Sequence, residues 1–309
     1  MYDFVPDTHG QRALLEALLA RLGYQRSAAG WRRPDPRRRV VFLGDYIDRG
    51  PDSPGVIALV RDMVEADAAL AIAGNHEVNM IRFHAEKLGA PAPMRQHTAK
   101  NTGQHAATLA AYEGREAQLL EDIHWLANLP FWLDLGEVRA VHAAWDDGAI
   151  ARLDANGAGA PLGVEGHLHS GKETALGQDI DRLINGPEAE LPEPHAFTDK
   201  GGHQRTQVRL AWWIGAARTW RDIAVSAPDL SEIPDTPIPE HVAATRYPPD
   251  APPVVFGHYW KTWDGGPGPL EAPNAFCIDY SAALDGPLVC YRHEQGAPLD
   301  LARIVVQDR

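Results

Sequence analysis

Val40-Val41-Phe42-Leu43-Gly44-Asp45-Tyr46-Ile47-Asp48-Arg49-Gly50-Pro51-Asp52-Ser53-Pro54 is the stretch on which the reading of this chain turns. Val40 to Leu43 is an apolar run too short for a helix and reads as a buried strand. Gly44 to Gly50 then sets two aspartates and an arginine between glycines, so the backbone can turn sharply while short polar side chains converge. Ser53-Pro54 supplies a helix N-cap and an N1 proline, predicting a helix to about Ala66. The result is a βα unit whose charged residues sit at the carboxyl end of its strand, where the loops of α/β sheets build sites.

The same arrangement recurs outward from this stretch. Tyr2 to Val5 reads as a strand, followed by Asp7-Thr8-His9-Gly10 and a helix from Gln11 to Leu22 with Leu14, Leu15, Leu18, Leu19 and Leu22 on one stripe. Leu70 to Ala73 precedes Gly74-Asn75-His76-Glu77. Val78 to about Ala127 reads as mainly helical, broken at Gly89 to Met94. Phe131 to Leu135 and Val138 to His142 form a predicted strand pair that ends in His142. From 146 to 253 glycine and proline are frequent, with helices predicted over 180–184 and 209–225; this reads as a cap-like insertion in a single domain spanning 1–309. Four strand runs follow: Val254 to Phe256, Phe276 to Asp279, Leu288 to Arg292 and Ala302 to Val306. Gly257-His258-Tyr259-Trp260 sits after the first of them.

Of the 309 residues 44% are hydrophobic and 23% charged, an ordinary globular balance. The net charge of −13 repels long nucleic acid and acidic lipid, so neither is an expected partner. Small phosphorylated molecules remain, because bound cations invert the local field. Cys277 and Cys290 are too few for a disulfide framework. With no signal-peptide pattern and no run of roughly 20 apolar residues, a cytoplasmic location is expected.

Carboxylates, an asparagine and imidazoles together suit borderline divalent ions such as manganese, iron or zinc. A carboxylate can bridge two such ions, and two ions about 3.5–4 Å apart can deprotonate a shared water while clamping phosphoryl oxygens. A planar guanidinium grips two phosphate oxygens at once.

Three motifs, D-x-H-G at Asp7 to Gly10, G-D-x-x-D-R-G at Gly44 to Gly50 and G-N-H-E at Gly74 to Glu77, resemble the calcineurin-like metallophosphoesterases. The nearest branch holds the phosphoprotein phosphatases and the bacterial diadenosine tetraphosphate hydrolases. VVFGHYW at 254–260 and CIDYS at 277–281 resemble the hydrolase ending. The resemblance implies an α/β fold of two packed mixed β-sheets flanked by helices, a four-layer sandwich, with 146–253 as a partly helical cap. It implies two divalent metal ions, manganese first, with iron, zinc, nickel or cobalt as alternatives. One ion would lie on Asp7, His9 and Asp45; the other on Asp45, Asn75, His142 and His258. A metal-bridging hydroxide would attack in line, Arg49 would grip the phosphate beside Asn75 and His76, and His76, oriented by Asp48, would protonate the leaving oxygen. The implied substrate is a phosphorylated small molecule or nucleotide, including dinucleoside polyphosphates, with a serine/threonine phosphoprotein as the alternative. Two departures, Pro6 where the family has glycine and His142-Ala143-Ala144-Trp145, suggest a third reading, a metal-binding regulatory protein without catalysis.

Gly166-His167-Leu168-His169 rivals His258, which is preferred because it ends an apolar strand. Arg95, His97, Lys100 and Asn101 read as a solvated helix start, with substrate contact as the alternative. Phe197 to Lys200, Arg205 and Arg209 could reach substrate from the cap. Trp212, Trp213 and Trp220 read as cap core at helical spacing. His84, His105, His124, His195, His203, His241 and His293 default to surface or satisfied core positions, and the basic run Arg32, Arg33 and Arg37 to Arg39 to a solvated loop.

Overall fold

The computed structural model describes residues 1–28, 30–155, 161–199, 202–225 and 227–309. Its centre is a pair of mixed sheets. In one, the order is Ile304–Gln307, Leu288–His293, Tyr2–Val5, Arg39–Phe42, Ala69–Ala71, with the last three strands parallel and the first two antiparallel additions. In the other, Ala275–Cys277, Val254–Phe256 and Arg139–Val141 run parallel and Trp132–Asp134 closes the edge antiparallel. The fold is α/β, as expected.

Strand residues alternate between two apolar clusters, since successive side chains leave a strand on opposite faces. Phe4, Val41, Leu43 and Ile72 from the first sheet meet Val138, Ala140, Val255 and Phe276 from the second. Their neighbours Val5, Val40, Phe42, Val254 and Phe256 join a cluster with Leu15, Leu18, Val56 and Val60 of the covering helices Arg12–Leu22 and Ser53–Glu65. Both faces of each central strand are buried, which explains why these strands are uninterrupted apolar runs.

The helix at 53 starts one residue earlier in its capping than expected: Asp52 Oδ1 accepts from the Gly55 amide at 2.9 Å, and Ser53 turns inward instead. The long helical stretch divides into Asn75–Phe83, Ala99–Ala111 and Glu116–Leu126. Among the described residues of 146–253 the helices are Asp147–Ala155, Gly163–Leu168, Ala175–Asn185 and the single turns Trp220–Ile223, Leu230–Glu232 and Glu240–Ala243.

The predicted helix over 209–225 is absent apart from Trp220–Ile223. Gln207–Arg209 is a strand paired with Glu188–Glu190, and the backbone of this segment bonds to distant partners, Ala211 N–H to the Ile223 carbonyl and Tyr247 N–H to the Trp212 carbonyl. The reason is tertiary. The consecutive Trp212 and Trp213 both pack on Phe256, with ring centroids at 4.9 and 5.3 Å. The basic run also departs from a solvated loop, because Arg38 is buried in an ion pair with Asp3 at 2.8 Å. Both cysteines are buried and free. Among the described residues no helix is long and apolar enough to cross a membrane.

Candidate metal centre and catalytic site

The motif loops converge where the ends of the parallel strands meet, and their backbone is held in an unusual state. His9, Asp45, Asp48, Arg49, His258 and Trp260 all have positive φ, between 41° and 72°. Such conformations cost non-glycine residues energy and persist where the surrounding structure enforces them, typically at functional sites. Glycine is required between the loops: a Cβ on Gly44 would lie 2.4 Å from the Gly74 nitrogen, and one on Gly74 would lie 2.3 Å from Asp45 Oδ1. Fully buried Glu77 fastens them, accepting from the Asp45, Tyr46 and Gly74 amides at 2.8 Å each. Burial, with the nearby Asp45 charge, pushes its pKa up to about 7.

Among the described residues two groups of side chains can hold a cation, His9 with Asp45 and His76, and Asp45 with His142 and His258. His9 Nδ1 donates to the Ile47 carbonyl and His142 Nδ1 to the Leu43 carbonyl, each at 2.8 Å. That leaves both Nε2 atoms as bare lone pairs aimed inward. His142 Nε2 faces Asn75 Oδ1 at 3.1 Å, His258 Nδ1 at 3.2 Å and Asp45 Oδ2 at 3.5 Å. His258 Nδ1 also lies 3.1 Å from Asn75 Oδ1. The unprotonated His142 Nε2, the Asn75 amide oxygen and the Asp45 carboxylate turn acceptor atoms on one point, and a divalent cation satisfies all of them.

The remaining atoms agree. His9 Nε2 and Asp7 Oδ2 are buried without any partner. Asp7 is anchored through Oδ1 to the His258 amide at 3.2 Å, and burial, reinforced by Asp279 and Asp45, drives its pKa well above the carboxylate range. Burial likewise lowers His9 to about 3 and His258 well below the imidazole range, keeping both neutral as ligands must be. Asp45 is opposed by burial but held below its ordinary value by His76, through its charge and its backbone amide. The donor set fits divalent metal.

The family model described as calcineurin-like phosphoesterase matches residues 3–259 of this chain. The chain belongs to that family. A PrpE protein of Oceanobacillus iheyensis, named as an asymmetrical bis(5'-nucleosyl)-tetraphosphatase, is 43% identical over 81 residues, 26% of this chain and 32% of its own. The chain thus spans about a third of the length of several such PrpE relatives. A Bordetella pertussis protein named as a symmetrical bis(5'-nucleosyl)-tetraphosphatase is 25% identical over 274 residues, 84% of this chain and 82% of that one. Among solved structures, the cold-active protein-tyrosine phosphatase of a psychrophilic Shewanella species aligns with a TM-score of 0.56 at 15% identity, covering 99% of this chain and 80% of that one. The likeness is one of fold.

Beside the metal groups of this calcineurin-like phosphoesterase lies a histidine and aspartate pair. His76 Nδ1 donates to Asp48 Oδ2 at 2.5 Å. Burial lowers the His76 pKa, but Asp45 and Asp48 outweigh it and the net direction is up. Asp48 is clamped from behind, because its Oδ1 accepts from His105 Nδ1 at 2.7 Å and from Thr108 Oγ1 at 2.6 Å. Thr108 Oγ1 also accepts from the Asp48 amide at 2.9 Å, and Ser53 Oγ lies 3.2 Å from that nitrogen. His105, which the sequence reading left at a default surface or core position, belongs to this hydrogen-bonded group. The available signal was faint: His105 and Thr108 are three apart, so they share a face of an otherwise alanine-rich helix. His105 Nε2 in turn lies 3.3 Å from His84 Nε2, whose pKa burial and His105 push down to about 4.

Arg49 lies over the Trp260 ring, 3.6 Å from its centroid. The Trp260 turn is held by Asp279, a buried carboxylate of CIDYS that accepts from the Trp260 amide at 2.9 Å. A cavity of about 780 Å³ opens over Asp45, Arg49, Asn75, His76 and His258 and is walled further by Arg95, Arg209 and Trp260.

Other candidates fall elsewhere. His167 is buried against Phe131 and His169 bonds to the Glu165 carbonyl, so the G-H-x-H rival joins neither cation group. His97 stacks on Phe83, Lys100 is exposed, and Arg205 pairs with Asp199, while Lys200 lies outside the described residues. With Pro6 in place, the Thr8 and His9 amides still bond to the Asp45 carbonyl at 3.1 and 2.8 Å.

Proposed function

We propose that this chain hydrolyses phosphoanhydrides or phosphate esters of small molecules, with dinucleoside polyphosphates as the leading substrate class. The observation that carries the reading is the convergence of ligand-type atoms from Asp45, Asn75, His142 and His258 beside the His76 and Asp48 pair. Asp7, His9 and Asp45 would hold one divalent ion and Asp45, Asn75, His142 and His258 the second, with manganese as the proposed metal. Bound there, the two ions supply Lewis-acid polarisation of the phosphoryl group and lower the pKa of water.

The chain's own residues carry the rest. Arg49, steadied by Trp260, is placed to grip phosphoryl oxygens through its planar fork. Asp48 accepts the hydrogen bond from His76 Nδ1, which orients the ring and favours its charged form. A protonated His76 then offers its Nε2 proton to the departing oxygen. Segment 146–253 acts as a cap in this reading, since Arg209 and Val225 from it wall the cavity. The relatives named as bis(5'-nucleosyl)-tetraphosphatases support the substrate class.

The test is hydrolysis of p-nitrophenyl phosphate with added manganese by wild-type, Asp45→Asn and His76→Ala proteins. Unchanged turnover in either variant refutes the mechanism, and absence of turnover with any divalent ion favours the regulatory reading. Comparing diadenosine tetraphosphate with a phosphoserine peptide then decides the substrate class.

A further inference from the structure

We infer that Arg95 forms a second anion site in the cavity, one that takes the phosphate adjoining the phosphoryl group under attack and so selects phosphate chains over monoesters. The inference rests on the hydrolase reading above and deepens it by separating the two substrate types.

The first observation is a charge imbalance. The chain as a whole carries 42 acidic against 29 basic residues, yet the cavity is lined by Arg49, Arg95 and Arg209 and by a single carboxylate, the candidate metal ligand Asp45. The second is how Arg95 is satisfied. Its Nη2 donates to Gln104 Oε1 at 2.6 Å and to Asn101 Oδ1 at 3.4 Å, both neutral. Among the described residues no carboxylate lies within ion-pair distance of it. Other arginines are treated differently: Arg82 pairs with Asp181, Arg61 with Asp122, and Arg209 lies 3.6 Å from Glu188. Asp48 acts on Arg95 only through space, so among the described residues this half-buried guanidinium has no anion in direct contact until a ligand supplies one.

The third observation is position. The Met94 and Arg95 amides both donate to the Arg82 carbonyl, at 2.9 and 3.0 Å, which pins the Arg95 backbone. Asn101 and Gln104 belong to helix Ala99–Ala111, the helix whose His105 and Thr108 hold Asp48. One rigid element therefore sets both the catalytic pair and the orientation of Arg95. Gly103, Ala106 and Ala107 of the same helix leave the intervening wall free of bulk. A single phosphoryl group fills little of about 780 Å³, whereas cavities of this size suit ligands as large as nucleotides.

The experiment compares kcat/KM for ADP and for p-nitrophenyl phosphate in wild-type, Arg95→Gln and Arg95→Lys holoenzymes at fixed free manganese. In Arg95→Gln the ratio of the two values falls about tenfold, the scale of one lost charge-assisted hydrogen bond to phosphate. Arg95→Lys keeps the charge without the fork and recovers part of the loss. A parallel fall on both substrates, or an unchanged ratio, overturns the inference. Failure of the hydrolase reading shows differently, as p-nitrophenyl phosphate turnover that survives Asp45→Asn.

Discussion

Replacing His105 by alanine tests whether the clamp behind Asp48 contributes to turnover. In the native arrangement Asp48 Oδ1 accepts from His105 at 2.7 Å and Thr108 at 2.6 Å while Oδ2 holds His76. The substitution removes one of these donors from a buried carboxylate, and a hydrogen bond to a charged group contributes about 1.5–3 kcal/mol. If that loss falls on the orientation and protonation of His76 in the transition state, kcat drops by roughly 10- to 100-fold, since about 1.4 kcal/mol is a factor of ten. His105 is fully buried and does not line the cavity, so KM should stay nearly constant. The assay is steady-state hydrolysis of phenyl phosphate and p-nitrophenyl phosphate with manganese. Phenolate leaves less readily than nitrophenolate and depends more on the His76 proton, so phenyl phosphate should suffer the larger loss. His105→Asn, which retains a side-chain N–H, should restore part of the rate. Equal losses on the two esters, or a change confined to KM, would refute a positioning role.

Three further outcomes follow from the same geometry. Burial opposes the His76 charge, but Asp45 and Asp48 raise its pKa above the ordinary imidazole value, so the reactive protonated form persists to higher pH than in a free imidazole and rate is lost as pH rises through that raised value; in Asp48→Asn the alkaline limb of the kcat profile should move to lower pH. Manganese at about a hundred times its dissociation constant should stabilise the fold by about 2.7 kcal/mol, read as a rise in Tm, and Asp45→Asn should shrink that rise because Asp45 belongs to both cation groups. Trp260→Ala removes the ring beneath Arg49; with a cation–π contact contributing about 0.5–2 kcal/mol, kcat/KM for p-nitrophenyl phosphate should fall between about two- and thirty-fold, mainly through KM, and a value within error of wild type would show that Arg49 needs no such support.

The sequence by itself marked the strands that carry the motifs, the mixed α/β class, and the group Asp7, His9, Asp45, Asn75, His76, His142 and His258. It could do so because each loop records its demand locally: glycine where backbones touch, and a donor side chain immediately after an apolar strand. Tertiary structure decided what depends on partners far along the chain. His105 meets Asp48 across 57 positions, and Arg95 becomes a cavity wall only because the Arg82 carbonyl and the helix at 99–111 fold it there. The segment 209–225 has helical spacing but lies irregular, since burying two successive tryptophans on Phe256 outweighs weak local propensity. His167 and His258 look alike in their motifs, and the difference is the strand beneath: one delivers His258 to Asn75, while a short helix turns His167 into the core. Local pattern names the chemistry of a residue, and packing chooses the neighbours on which that chemistry acts.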